Sequence, residues 1–288
     1  MEKIRLSKND WEYDPSKSLG LPGNSGAVYL GYDKDGCEVA IKELHIFNSR
    51  SAHREIEVAE RLVGRKHSYV VPVLDCGEDI ASGGYFIVLA KAKGSLDDLL
   101  TVNGRLDEKE SIEILYSIAS GLVELKDLNH CDLKPENVLF QNGRWKIADF
   151  GVAQFVRESP SKVLKGYISP HYAAPEHWYG ERPTEKTDVY AIGCIAYACL
   201  TGDPPFIGND LFDLRYQHLH AKQERLSRVS HSLESLISMT LRKSQVVRPN
   251  LLYVRDKLHD IGLEEEMMIA RGLTDASKDV VKSRANLG

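Results

Sequence analysis

One short stretch gathers three polar residues whose types could do chemistry together. In NHCDLKPENVLF, residues 129–140, Asp132, Lys134 and Asn137 stand two and three residues apart and lead into apolar Val138, Leu139 and Phe140. A carboxylate can orient a hydroxyl and accept its proton, and an ammonium can neutralise a migrating phosphoryl group. An amide oxygen is a hard ligand suited to a nucleotide's Mg2+. Asp149, in ADFG, offers a second such oxygen. Upstream, LGLPGNSGAVYLG places Gly20, Gly23 and Gly26 in a turn between two strands. Glycines there let backbone amides approach a phosphate, although a glycine-rich hairpin alone reads as structure just as well. Lys42 ends VAIK, and a lysine on the inner face of a strand needs an acidic partner. Glu55 on the following helix is the candidate, with Glu57 as second choice. Each feature singly has a bland reading as a capped turn or a surface charge. Their order and spacing together point to nucleotide-dependent phosphoryl transfer.

These residues need elements to hold them. AVYLGY and EVAIKEL, separated by DKDG, predict a hairpin, and VVPVLDCGED and YFIVLA predict two further strands with a turn at SGG. SAHREIEVAERLV has helical spacing, with Ser51 as the expected N-cap and Ile56, Val58, Ala59 and Leu62 expected to face the sheet. After a hinge near Ala90 to Lys93 the pattern turns helical. SLDDLLTV is a short helix, and Asp107 with Glu110 starts a long one through about Leu125. NVLF and WKIAD flank QNGR as a small hairpin, and mostly helical sequence follows from Thr187 to about Ile261. The expected fold class is therefore α+β and bilobal. Residues 1–91 form a β-rich lobe, 92–261 a mainly helical lobe, and 262–288 a charged tail.

The 288 residues suffice for two lobes with a sizeable core, and 42% hydrophobic with 27% charged residues is ordinary for a globular protein. A net charge of −5 argues against nucleic-acid binding by charge. Five scattered cysteines, with no C-x-x-C pair, argue for a reducing compartment and against structural zinc. The charged N-terminus lacks the apolar run of a secretory leader. VYAIGCIAYACL, residues 189–200, is too short to span a bilayer and reads as a buried helix. The expectation is a cytoplasmic protein with no membrane span. His218, His220, Trp11 and Trp178 read as packing or surface residues.

The motifs resemble those of the eukaryotic-like (Hanks-type) serine/threonine protein kinases, bacterial members especially, up to about residue 261. GNSGAV is similar to the glycine-rich loop, VAIK to the nucleotide-lysine strand and HCDLKPEN to the catalytic loop. DFG is similar to the metal motif, and APE, residues 174–176, to the end of the activation segment. The resemblance implies transfer of the γ-phosphoryl group of ATP to protein Ser/Thr hydroxyls, on a partner or on the chain itself. Lys42 would hold the phosphates and Glu55 would hold Lys42. Asn137 and Asp149 would hold Mg2+, and Asp132 would orient the hydroxyl beside Lys134. The glycine loop would cover the phosphates; Val28, Ala40 and Leu139 would wall the adenine, Leu89 would be the gatekeeper, and Ala90 and Ala92 would offer backbone groups to its edge. Arg248 is similar to the arginine that pairs with the last glutamate of APE, here Glu176. Ser169 would bridge Asp132 and Lys134. Two departures stand out. Cys131 replaces the usual arginine that meets an activation-segment phosphate, which implies activity without that phosphorylation. Leu21 stands where the first loop glycine is expected, unless Gly20 serves with one inserted residue. The alternative is a pseudokinase, a binding module that keeps the fold.

Overall fold

Alternating strands in the first ninety residues build one twisted sheet. The computed structural model describes residues 1–20, 26–45, 49–151, 153–155 and 169–270. The hairpin β3 (Gly26–Tyr32) and β4 (Glu38–Leu44) pairs antiparallel with Val28 opposite Lys42. Its turn is tied by the Asp33 carboxylate, which accepts the Asp35 and Cys37 N–H groups. β5 (Val73–Glu78) and β6 (Tyr85–Ala90) complete the expected set, with Ala40 opposite Leu89 across β4 and β6. Two strands precede them: β1 (Glu2–Arg5), which the sequence reading did not anticipate, and β2 (Asp10–Ser18). The six-stranded order is β1-β2-β3-β4-β6-β5. One face closes over Ile4, Leu6, Trp11, Tyr13, Val39, Ile41, Phe86 and Val88.

The helix α1 (Ser49–Leu62) covers the other face with Ile56, Val58, Ala59 and Leu62 buried. Ser51 is not its N-cap. The helix begins at Ser49, and an N-cap needs non-helical backbone, which a residue inside the helix lacks. The segment after α1 joins the lobes through backbone: Val71 N–H donates to Ile147 and Ile147 N–H to Tyr69.

The helical lobe opens with β7 (Gly94–Ser95) and α2 (Leu96–Asn103), where Ser95 and Asp98 form a capping box. Asp107 caps α3 (Glu108–Glu124) by accepting the Glu110 N–H at 2.8 Å. β8 (Leu128–Asn129) precedes the hairpin of β9 (Val138–Gln141) and β10 (Arg144–Ile147). Asn142 and Gly143 turn that hairpin with φ of 51° and 76°, the left-handed pair that a two-residue loop requires. β11 (Gln154–Phe155) returns to pair with β8. Then come α4 (Pro175–Tyr179), α5 (Glu185–Thr201), α6 (Leu211–His220), α7 (His231–Thr240) and α8 (Leu251–Ala270). α5 is buried from Thr187 to Cys199, as its apolar run from Val189 onward demands, and the helices pack around it. The architecture is the expected two-lobed α+β fold. Among the described residues, no helix is long and apolar enough to cross a membrane.

Candidate active site

Strand alternation turns Lys42 inward, where only 4% of it is exposed. Its ammonium pairs with the Glu55 carboxylate on α1 and lies 2.6 Å from Asp149 Oδ1. Glu57 instead sits on the exposed side of α1, 3.0 Å from Arg61. Asp149 has a left-handed backbone, φ 61°, and accepts the Gly151 N–H at 3.2 Å. A Cβ on Gly151 would come within 2.8 Å of Glu55 Oε2, so glycine there lets this turn approach α1.

One ammonium thus serves two carboxylates in a buried place. Burial opposes the charge on Lys42, but Asp149 and Glu55 outweigh it and raise its pKa, so the ammonium stays charged. Burial pushes the Glu55 carboxyl up to about 7, against the pull of Lys42. Burial also pushes Asp149 up, yet Lys42 overrides it and holds that carboxyl below the usual range.

The triad lies in a cavity of about 600 Å³ between the lobes. Val28, Ala40, Leu89 and Leu139 give it apolar walls, Ala90 and Ala92 line its hinge edge, and Gly20 lies at its roof. An apolar slot with a few convergent polar groups is what a nucleotide base and phosphates require. Gly26 is not part of this lining. It opens β3, where a Cβ would run into the Glu43 carbonyl. Gly23 lies outside the described residues.

The loop below is fixed by a residue the sequence reading passed over. Asp188, buried in the first turn of α5, accepts the His130 N–H at 2.8 Å and the Cys131 N–H at 2.9 Å. Burial raises its pKa, with the two N–H bonds working the other way. The signal was present: a lone carboxylate inside the apolar run DVYAIG has to bind something. Cys131 is 3% exposed with φ 68°, and its thiol donates to the Asn129 carbonyl. His130 closes the loop against β10, its Nε2 3.0 Å from the Ala148 carbonyl.

Asp132 follows, with its Oδ2 3.6 Å from Lys134. Its Oδ1 accepts a bond from Ser169 at 2.8 Å, but from the backbone N–H. The expected hydroxyl bridge to Lys134 is therefore replaced by a main-chain contact. A backbone donor reaches the carboxylate without fixing the Ser169 rotamer. Asn137 donates from its Nδ2 to the Asp132 carbonyl at 2.9 Å, so its Oδ1 is the atom it could offer to a cation. Asn137 and Asp149 line the cavity together. Two hard oxygen donors fit a Mg2+ that takes its remaining ligands from phosphate and water. Among the described residues no group of three or more His, Cys, Asp or Glu could hold a metal by itself. Farther out, Arg248 grips Glu176 with both guanidinium arms, at 2.6 and 2.8 Å, and Thr187 adds a hydroxyl at 2.9 Å.

The family model described as the protein kinase domain matches residues 13–258. The probable serine/threonine-protein kinase PknB of Corynebacterium glutamicum is 33% identical over 72% of this chain and 34% of its own length. The serine/threonine-protein kinase PrkC of Bacillus subtilis is 32% identical over 75% of this chain and 35% of its own length. Mitogen-activated protein kinase kinase kinase 18 of Arabidopsis thaliana is 31% identical over 68% of this chain and 60% of its own length. The match to the two bacterial relatives thus spans about a third of their length.

Proposed function

The chain belongs to the protein kinase domain family, and from that premise we propose that it moves the γ-phosphoryl group of ATP to serine or threonine hydroxyls of a protein, itself included. The observation that carries this reading is the Lys42–Glu55–Asp149 triad sharing one cavity with Asn137. Lys42 binds the phosphates from a fixed position, because Glu55 holds its ammonium at the site. Asn137 Oδ1 and Asp149 would hold Mg2+, which when bound would supply positive charge beside the phosphate oxygens. Asp132 orients the acceptor hydroxyl and takes its proton, while Lys134 offsets charge on the group in transit. The protein's contribution is positioning and charge complementarity. The apolar walls exclude water from the adenine.

The reading extends to regulation. Where a basic residue would meet an activation-segment phosphate, the loop carries buried Cys131 held by Asp188. Activity without activation-segment phosphorylation follows. Ser159→Ala and Ser161→Ala should then keep near wild-type transfer. Loss in either variant, restored by an acidic replacement, would overturn this point.

The function itself is tested with ATP–Mg2+ and a basic protein acceptor, followed by identification of the phosphorylated amino acid. Phosphoserine or phosphothreonine is the expected product. Nucleotide binding without any product would instead mean a pseudokinase.

A further inference from the structure

β2 begins at the outer corner of the sheet and ends at the nucleotide cavity, where Ser18, Leu19 and Gly20 form part of the lining. Its grip on β3 is discontinuous. Tyr13 pairs with Gly31 and Ser18 with Tyr29, and the register shifts between them. At the cavity end the strand is held by the Leu19 N–H, 2.7 Å from the Val28 carbonyl. A register shift bends and twists the strand locally, so the path of its far end depends in part on how its start is held.

The start of β2 is held by Asp75, on the opposite edge of the sheet. Asp75 is fully buried, and its Oδ2 accepts the Lys8 N–H at 3.2 Å, the Asn9 N–H at 3.1 Å and the Trp11 indole N–H at 2.9 Å. Its Oδ1 accepts the Ser7 hydroxyl and the Cys76 N–H, both at 3.0 Å. Asp79, just past the end of β5, repeats the device by accepting the Arg5 N–H at 2.8 Å. The register of β5 also shifts between Val73 and Asp75. Five donors converge on one carboxylate, and such charge-assisted bonds are stronger than neutral ones. This tie joins the two edges of the sheet, which no backbone ladder connects.

We propose that Asp75 is a positioning residue for nucleotide binding. By pinning the β1–β2 turn and Trp11, it sets where β2 delivers Ser18 to Gly20 over the cavity. The proposal rests on the nucleotide reading of that cavity. Asp75 does not itself line the cavity, so it acts through the segments it holds.

The test uses two variants of the full chain. Trp11→Phe removes one indole N–H and keeps the apolar ring. Asp75→Asn turns an acceptor into a group whose NH2 meets N–H donors. Amide hydrogen exchange is followed without ligand, and ADP–Mg2+ binding is titrated separately. The loss of one such bond predicts about five-fold faster exchange at the Leu19 amide in Trp11→Phe, with Ile87 in β6 unchanged. Weaker ADP binding by a similar factor is expected, with the double variant less than additive. Faster exchange confined to residues 7–11, with Leu19 as protected as in wild type, would overturn the proposal even if the melting temperature falls. A wild-type chain that binds no ADP would contradict the nucleotide reading, while the Leu19 exchange would still decide whether Asp75 positions the end of β2.

Discussion

At the scale of residues, the central device is a buried ammonium shared by two carboxylates. In the proposed reaction its two partners have different tasks: Glu55 holds Lys42, and Asp149 would also offer an oxygen to Mg2+. Lys42→Met should therefore cut phosphoryl transfer by about 100-fold or more, since charge complementarity at the phosphates is lost. Glu55→Gln keeps a hydrogen-bonding oxygen for Lys42 but removes the charge, so a smaller loss of about ten-fold is expected. Steady-state rates of the two variants check the order. Equal losses would mean that Glu55 does more than hold Lys42. Residue chemistry was also the most legible level. Lys42, Asp132, Asn137 and Asp149 could be singled out because their types and order are unusual together. The choice between Glu55 and Glu57 needed the helix's rotation against the sheet, which puts Glu55 inside and Glu57 beside Arg61.

At the scale of elements, the Arg248–Glu176 pair ties the start of α4 to the turn before α8. Both side chains are buried, and Arg248 also donates to the Lys186, Arg242 and Lys243 carbonyls. Arg248→Lys keeps the charge and loses the planar fork, leaving carbonyls and a carboxylate oxygen without partners. A loss of roughly 3 kcal/mol in urea unfolding is expected; a loss below about 1 kcal/mol would mean the pair is not the anchor. Elements were legible where their cause is local. EVAIKEL alternates, and Asp107 stands three residues before the Glu110 N–H it caps. They were not legible where the cause lies far along the chain. EKIR becomes β1 because Ile4 packs with Trp11 and Phe86, and because Asp79 captures the Arg5 N–H. Asp188 has the same character, since its partners at His130 and Cys131 are joined to it only by the fold.

At the scale of the molecule, two lobes meet over one cavity, and buried ionisable groups make their stability depend on pH. Burial lowers His218 to about 3 and His177 to about 4. The folded chain keeps both neutral while the unfolded chain protonates them below about 6.5, so this contribution is present above that pH and lost as pH falls. For His218 alone the shift corresponds to on the order of 5 kcal/mol. Glu55 works the other way. Its raised pKa stabilises the fold as pH drops through about 7. Urea midpoints measured from pH 7 to 4.5 should fall, and fall more steeply in Glu55→Gln than in wild type. Parallel slopes would contradict the raised pKa of Glu55. The most direct test of the whole account is the rate of γ-phosphoryl transfer from labelled ATP–Mg2+ by wild type beside Asp132→Asn. Label on protein serine or threonine is expected with the wild type, and its near-complete loss in Asp132→Asn while ADP still binds. Equal label in both, or none in wild type despite bound nucleotide, would contradict it.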